Sequence, residues 1–325
     1  MRLTLITAYH FNASNTVAYA RLLRSLSASV RELNSHGALI LVANGTQVSE
    51  ASIRAEDPAK VIADLKAPGS ASICVVELRA NAGNVGGLNA GIARALVDSN
   101  DSDHWIGSVQ SSAVLRPGWL DAVYNGGKRQ SAQAAFGRLL LEDQPDRVCA
   151  DGHCLREGRT MCVHYMEPAN SVGAPDECAF PCLSAAIFRK DLIKRIVKKY
   201  GNLVCENLAH FGDCTDVAVR ARAVDASAVF AYCAEATALK RSPAKDSVRE
   251  CCSQLLAAKL YYDNRDSEAE GRVFKKLPQL FVDIQREAGD RSRRPYSWTK
   301  APAPPAPSSL DPIWGGERPA QLTGA

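Results

Sequence analysis

Several features that would assign this chain to a functional class are missing. No apolar run in its 325 residues approaches the ~20 residues that a membrane span needs. The first residues lack a long apolar region followed by a small-residue cleavage site, so we expect no signal peptide and a cytoplasmic location. The net charge of +4 is too small to indicate nucleic acid as the main partner.

The cysteines lack the spacing of a structural zinc site. The chain has 11 cysteines but no Cys-x-x-Cys pair, which such sites usually contain. One cluster, which also holds His153 and His164, consists of Cys149, Cys154, Cys162, Cys178 and Cys182. We expect reduced thiols that act as small buried hydrophobic groups, with no metal ligand among them. A metal site in this cluster is the alternative that the pattern leaves open.

Apolar runs alternate with helical patterns through the first half of the chain. The runs predict four strands, at residues 3–8, 38–43, 73–78 and 104–109. Apolar residues at helical spacing between residues 17 and 33 predict a helix, and residues 47–70 look like loop and short helix. Strand–helix alternation predicts an α/β fold with a mostly parallel sheet and right-handed crossovers.

The second half continues with a mixture of elements and ends in a different composition. We predict a helix after residue 117, a strand at 134–141, a hairpin at 146–165, a helix at 190–200, a helix and then an extended segment at 217–229, and a helix at about 247–262. Residues 291–325 are rich in proline and poor in large apolar groups, so we expect them to be disordered or extended.

The densest motif is NAGNVGGLNAG at residues 81–91, which follows the third predicted strand. Glycine permits positive φ and close approach of the backbone, and asparagine offers side-chain hydrogen bonds. We predict a loop that leads into a helix at residues 92–96 and holds an anion on free N–H groups. A purely structural glycine turn is the alternative. A dinucleotide fingerprint is disfavoured, because that motif follows a first strand and here the first strand is followed by YHFN.

The motif resembles the N-x-G-x-x-G-G-x-N-x-G loop of nucleotide-sugar glycosyltransferases of inverting family 2, which have the GT-A fold. Further segments resemble the same family in the same order: residues 42–46, 105–120, 149–159, 182–189, 213–222 and 261–265. The segment at 149–159 resembles a hairpin of the rhamnosyltransferase-like branch. The resemblance runs from residue 1 to about residue 280.

This resemblance implies a GT-A-like α/β fold, a three-layer sandwich with a mostly parallel central sheet. The domain would span residues 1–290, with a nucleotide-binding half at 1–125 and an acceptor-side half at 126–290. The implied activity is transfer of a sugar, a deoxyhexose such as rhamnose, from a UDP-, dTDP- or GDP-sugar. The implied acceptor is a glycan or lipid-linked glycan in polysaccharide biosynthesis, reached in the cytoplasm or peripherally at the inner face of the membrane.

The metal-binding D-x-D of the family is replaced here by Gln110, Ser111 and Ser112. Neutral side chains are poor ligands for Mg²⁺ or Mn²⁺, so we expect no such metal site. The acidic residues at 101–103 precede their strand and are interpreted as a solvated turn. Lys240 and Arg241 stand where the family has a late histidine, and they are predicted to stabilise the leaving diphosphate without metal. The alternative is a pair of ordinary surface charges.

The family's catalytic base and its nucleotide-binding aspartate are also altered. Cys214 stands in place of the base, and Ala43 in place of the aspartate. We predict that Asp213 takes the proton of the acceptor hydroxyl. Asp216, the other acid of the motif, is expected to cap or orient the helix that carries Arg220.

We expect the donor to lie where the strands end. The predicted donor-binding residues are Ala8, Tyr9, Asn44, Asn81, Gly83, Asn84, Gly86, Gly87, Asn89, Gln110, Ser111, Ser112, Lys240 and Arg241, and the predicted catalytic residues are Asp213 and Asp216. The alternative function is a degenerate GT-A protein that binds nucleotide, sugar or a partner without transfer. A nicotinamide-dependent enzyme is disfavoured by the displaced glycine motif.

Overall fold

In a computed structural model of the chain, the structure describes residues 2–9, 21–26, 28–29, 37–45, 72–97, 103–156, 159–175, 179–205 and 212–241. At residues 155–156 and 159–160 the description covers the backbone. The predictions for residues 47–70, 247–262, 261–265 and 291–325 lie outside these ranges.

Parallel strands build the first half of the sheet. In chain order the elements are β1 (Arg2–Tyr9), β2 (Gly37–Asn44), β3 (Ser72–Leu78), helix α1 (Gly83–Val97) and β4 (His104–Val109). The strands pair in parallel, as predicted, and their order in the sheet is β3-β2-β1-β4. β2 is buried on both faces, which explains its continuous apolar sequence. Residues 21–26 and 28–29 are helical, and their leucines are buried.

The second half of the sheet contains a reversed strand. The elements are β5 (Ala113–Leu115), α2 (Trp119–Arg129), β6 (Ala134–Leu141), β7 (Val148–Ala150), β8 (His153–Arg156), β9 (Arg159–Cys162), β10 (Ala185–Arg189), α3 (Lys190–Tyr200), α4 (Asp213–Val224) and β11 (Phe230–Lys240). β10 lies antiparallel between β4 and β6, and β11 runs parallel to β6. β5 pairs with β11. The predicted hairpin is limited to β8 and β9, because β7 instead joins the main sheet beside β6.

The pairing brings functional residues to one edge. β1, β2, β3, β4, β6 and β11 all point the same way, so their carboxyl ends lie along the same edge of the sheet. The reversed strand β10 begins at this edge instead of ending there. Ligands of α/β proteins bind at the carboxyl ends of parallel strands, so this edge is where the site is expected.

Helix α1 corrects the prediction for the glycine motif. The motif was predicted to be a loop as far as Gly91, but the helix already begins at Gly83. Its glycines permit close packing on the sheet. A Cβ on Gly91 would lie 2.3 Å from Ile6 Cγ2, and one on Gly87 would lie 2.6 Å from Ala8 Cβ. The glycines therefore allow the helix to contact β1 and β2 directly, and only the residues before Gly83 form the turn.

A buried ionic network holds the second half together. Asp151 is fully buried and accepts hydrogen bonds from Arg138 Nε at 2.8 Å and Arg138 Nη2 at 2.7 Å. The Tyr232 hydroxyl donates to the same carboxylate at 2.8 Å, and His164 Nδ1 lies 2.9 Å from it. Arg138 also donates to the carbonyl of Ala169. The network joins β6, β11 and the segments beside the β8–β9 hairpin.

We predict that Arg138→Met destabilises the protein by about 3–5 kcal/mol, because it leaves the Asp151 carboxylate buried without its cation. The measurement is the free energy of unfolding in urea. Arg195→Met is the control, since the Arg195–Asp225 pair at 3.0 Å is exposed on its arginine side and should be worth about 1 kcal/mol or less. Equal losses of unfolding free energy in the two variants would contradict a stabilising role for the buried Arg138–Asp151 pair.

Candidate functional site

Asn44 shapes the turn that precedes α1. Its Nδ2 donates to the carbonyl of Gly83 at 2.9 Å, and its Oδ1 accepts from the amide of Ala82 at 2.8 Å. Asn81 Oδ1 accepts from the amide of Gly83 at 2.9 Å. Asn44 therefore fixes the start of the helix beside the carboxyl end of β2, and its own side chain is buried.

A cleft opens at the carboxyl edge between α1 and the ends of β1 and β4. It is lined by Ile6, Ala8, Asn84, Val85, Leu88, Ser108, Val109, Gln110, Ser111 and Asp213. Four of the predicted donor-binding residues (Ala8, Asn84, Gln110 and Ser111) are thus brought together with the predicted catalytic acid. The sheet pairing and the position of α4 bring together residues that lie more than 200 positions apart in the sequence, such as Ala8 and Asp213.

A chain of hydrogen bonds leads from Lys240 to the wall of this cleft. Lys240 Nζ contacts Ser184 Oγ at 2.5 Å, and Ser184 Oγ donates to Gln110 Oε1 at 2.7 Å. The backbone supports the chain, since the Gln110 amide donates to the Ser184 carbonyl at 3.0 Å. Lys240 is half-buried and is thus not an ordinary surface charge, whereas Arg241 is exposed.

Asp213 is the first residue of α4 and is buried at the cleft. Its Oδ1 accepts from the amide of Cys214 at 2.9 Å. Burial, together with the negative charge of the nearby Cys182 thiolate, raises the pKa of Asp213 above its ordinary value. A carboxylate with a raised pKa binds a proton more readily than an exposed aspartate does.

Two thiols, Cys182 and Cys214, lie close to Asp213. Cys182 and Cys214 are buried, and the amide of Leu183 donates to Cys214 Sγ at 3.3 Å. A hydrogen bond from Cys214, and the charges of Lys240 and His153, hold the pKa of Cys182 well below its usual range. Burial lowers the pKa of Lys240, but nearby cysteine sulfurs, Cys182 first among them, raise it by more, so Lys240 stays cationic.

Asp216 has a positioning role in the structure. Its Oδ1 accepts from Arg220 Nε at 2.8 Å, and its Oδ2 accepts from the amide of Cys205 at 2.7 Å. Arg220 Nη1 continues to the side chain of Asn202 at 2.9 Å. These bonds hold the segment after α3 against α4.

The other predicted residues take several places around the edge. Tyr9 is buried, and burial followed by the charge of Glu77 raises its pKa to about 12. The Asn89 amide is buried and bonded to the backbone of Val204 at 2.9 and 3.1 Å, so it joins α1 to the segment after α3. Gly86 and Gly87 lie in the helix, and the Arg241 amide donates to the Ser112 carbonyl at 2.9 Å.

Asp103 lies at the opposite edge of the sheet, before β4. It accepts from Lys128 Nζ at 2.8 Å and from the Tyr124 hydroxyl at 3.0 Å. Although burial opposes it, these hydrogen bonds lower the pKa of Asp103. Asp103 therefore forms an ion pair with α2 and lies away from the cleft, as predicted, whereas Asp101 and Ser102 lie outside the described residues.

Sequence reasoning missed Ser184 and Ser108. The Ser108 hydroxyl donates to the Leu183 carbonyl at 2.8 Å, and Ser184 connects Lys240 with Gln110. Both contacts depend on β10 pairing antiparallel with β4, which no local sequence pattern shows. For Ser184, the only indication in the sequence was its place directly before an apolar strand, and Ser108 lies within a strand.

No model of a known protein family matches the chain, and no curated protein matches it. Solved structures do match the chain in fold. TarS 1-349 of S. aureus superposes with a TM-score of 0.51 and 12% identity, over 88% of this chain and 72% of that chain. The longer TarS structure gives a TM-score of 0.51 and 11% identity, over 88% of this chain and 43% of that one. TarS has the GT-A fold, so the predicted GT-A-like fold class is confirmed.

We predict that Gly45→Ala distorts the turn before α1. Gly45 has φ +72°, and an added Cβ would lie 2.2 Å from the amide nitrogen of Asn81. Gly83→Ala is the matched control, because Gly83 has the same φ of +72° but nothing within 4 Å of its Cβ position. The control should lose roughly 1 kcal/mol of unfolding free energy from the backbone conformation alone, and Gly45→Ala should lose clearly more. Equal losses in urea unfolding would contradict the close-contact role.

Proposed function

We propose that the chain is an inverting glycosyltransferase that moves a sugar from a nucleotide-sugar donor to a glycan acceptor. The observation that carries the proposal is the cleft at the carboxyl edge, which Asp213 shares with Ala8, Asn84, Gln110 and Ser111. A GT-A-like fold supports it, although fold by itself does not specify function. The cleft brings four of the predicted donor-binding residues together with a buried acid that could accept a proton.

In the proposed reaction, the acceptor hydroxyl attacks the anomeric carbon of the donor sugar. Its proton passes to the Asp213 carboxylate, and the bond between the anomeric carbon and the diphosphate oxygen breaks with its electron pair leaving on the diphosphate. Attack on the face opposite the leaving group inverts the anomeric configuration. A positioned base of this kind contributes about 10²–10⁴-fold in rate.

The leaving diphosphate requires positive charge or hydrogen-bond donors. Helix α1 presents its first turn at the cleft, where the positive end of the helix dipole favours an anion. The Lys240 ammonium supplies a cation, and it reaches the cleft wall through Ser184 and Gln110. These groups act as fixed electrostatic stabilisers of the developing negative charge.

The metal-binding position of the family does not fit Mg²⁺ or Mn²⁺ here. Gln110, Ser111 and Ser112 provide no carboxylate, and Gln110 Oε1 already accepts a hydrogen bond from Ser184. Hard divalent cations favour carboxylate oxygens, so neutral side chains would bind them weakly. We therefore propose that the donor binds without either ion.

The finer identity of the substrates rests on the family resemblance. We propose a UDP-, dTDP- or GDP-sugar as donor, with rhamnose as the first deoxyhexose to examine. The proposed acceptor is a glycan or a lipid-linked glycan, met in the cytoplasm or at the inner membrane face. Among the helices that the structure describes, none is long and apolar enough to span a membrane.

A second candidate function is binding without transfer. The observation that favours it is Cys214, which stands at the family's base position and whose amide bonds the Asp213 carboxylate. If that bond held Asp213 away from the acceptor, the cleft would still bind a nucleotide. Measuring donor binding and turnover separately distinguishes the two candidates.

We predict that the correct nucleotide-sugar raises the Tm of the protein in EDTA and that added Mn²⁺ does not increase the shift. A ligand that binds only the folded state raises Tm by mass action. The measurement is a thermal-shift screen of UDP-, dTDP- and GDP-sugars, each with EDTA or Mn²⁺. Lys240→Met should reduce the shift, whereas Lys199→Met, an exposed lysine at the end of α3, should not. A shift that requires Mn²⁺ would contradict metal-free donor binding.

We predict that Asp213→Asn lowers turnover by about 10²–10⁴-fold while the donor-induced Tm shift remains. The amide keeps the shape of the side chain but cannot take the proton. Asp191→Asn is the control, since Asp191 is exposed in the first turn of α3. Normal turnover in Asp213→Asn would show that another group is the base. Donor binding without turnover in the unmodified protein would favour the second candidate.

A further inference from the structure

Three soft ligand groups meet beside the cleft, although they come from distant parts of the sequence. A nitrogen of His153 and the sulfur atoms of Cys182 and Cys214 all lie within 4.8 Å of one another. His153 belongs to β8, Cys182 precedes β10, and Cys214 is the second residue of α4. The proposed transfer chemistry uses none of the three as a reacting group.

We propose that His153, Cys182 and Cys214 form a binding site for a thiophilic divalent cation of the Zn²⁺ class. Tetrahedral zinc has Zn–S distances of about 2.3 Å and Zn–N distances of about 2.0–2.1 Å, which place neighbouring ligand atoms about 3.5–4 Å apart. The observed cluster needs only a small contraction to reach that spacing. Two thiolates and one imidazole are a ligand set that suits zinc, in contrast to the oxygen ligands of Mg²⁺.

Main-chain contacts hold these ligands in place. The backbones of His153 and Phe180 exchange two hydrogen bonds, at 2.9 and 2.7 Å, which fix β8 against the segment that carries Cys182. The bond from the Leu183 amide to Cys214 Sγ joins that segment to α4. Backbone hydrogen bonds therefore connect the three segments that carry the ligands, so metal binding requires little reorganisation of the protein.

One ring nitrogen of His153, Nδ1, is buried without a hydrogen-bond partner among the described residues. The other, Nε2, lies 3.6 Å from Cys162 Sγ. Buried polar atoms are nearly always paired in folded proteins, and metal-bound histidines use one ring nitrogen for the ion and leave the other for a second partner.

The charge balance also permits a cation here, despite the lysine nearby. Lys240 Nζ lies 3.9 Å from Cys182 Sγ. Two thiolates and a divalent ion together carry no net charge, so a bound ion would place no net positive charge beside the Lys240 ammonium. Three protein ligands leave a tetrahedral ion one open position, which is typical of catalytic zinc sites and not of closed structural ones.

The direct test measures metal binding and needs no sugar transfer, so its outcome is separate from the proposed function. Reduced full-length protein is stripped with a chelator and titrated with Co²⁺ and with Zn²⁺. We expect one ion per chain, tetrahedral d–d bands, and a near-ultraviolet band from thiolate-to-cobalt charge transfer. Zn²⁺ at a hundredfold excess over its Kd should raise Tm by roughly 4 °C.

Variants locate the site. Cys182→Ser, Cys214→Ser and His153→Gln should each weaken Zn²⁺ binding by at least ~100-fold, because each removes a ligand. Cys74→Ser is the matched control, since Cys74 is a free thiol on β3 in the other half of the sheet. Circular dichroism checks that each variant folds, and competition with a chromophoric chelator gives the affinity of the unmodified chain whatever the variants do.

Three results would overturn the proposal. One is stoichiometry far below one ion per chain in the unmodified protein. Another is Co²⁺ binding without the thiolate band, or with an affinity that Cys182→Ser and Cys214→Ser leave unchanged. The third is a Cys182–Cys214 disulfide that persists under reducing conditions and excludes the ion.

Discussion

Helix α1 lies against β1 and β2 with no side chain between Gly87 or Gly91 and the sheet, and the position of the cleft follows from this contact. A side chain at either glycine would push the helix outward, and its first turn would then leave the ends of β1 and β4. The turn before the helix is held by hydrogen bonds with Asn44 and by the close contact of Gly45 with the Asn81 backbone. The packing of the helix and the geometry of the turn therefore depend on each other. Close packing of this kind transmits small displacements because protein interiors have few voids.

Much of the fold could be predicted because its strands are encoded locally. A buried parallel strand has a continuous apolar sequence, and the ends of β1, β2, β3 and β4 fall within one residue of the predicted positions. The glycine motif was placed correctly but assigned the wrong conformation. Glycine favours loops on average, and only the neighbouring sheet, which supplies Ile6 and Ala8, makes a glycine-rich helix favourable.

The candidate site could be predicted only in part. Residues at the carboxyl ends of strands, such as Asn44 and Gln110, could be placed at the edge of the sheet because a strand end fixes their position. The partnership of Lys240 with Ser184 and the meeting of His153 with Cys182 and Cys214 depend on the reversal of β10 and on the entry of α4. The spacing of the cysteines indicated no metal site, because spacing detects ligands only when they lie on the same short segment.

The reversed strand β10 has a consequence for how the chain is made. β4 pairs with β1 on one side and with β10 on the other, and β10 ends at Arg189. During synthesis from the amino end, β1 to β4 can assemble as a parallel sheet long before the ribosome has released β10. Until then one side of β4, whose residues are all buried in the finished protein, is an unprotected edge that could pair with another nascent chain. The slow step of folding is therefore expected to be the insertion of β10, which joins the two halves of the sheet.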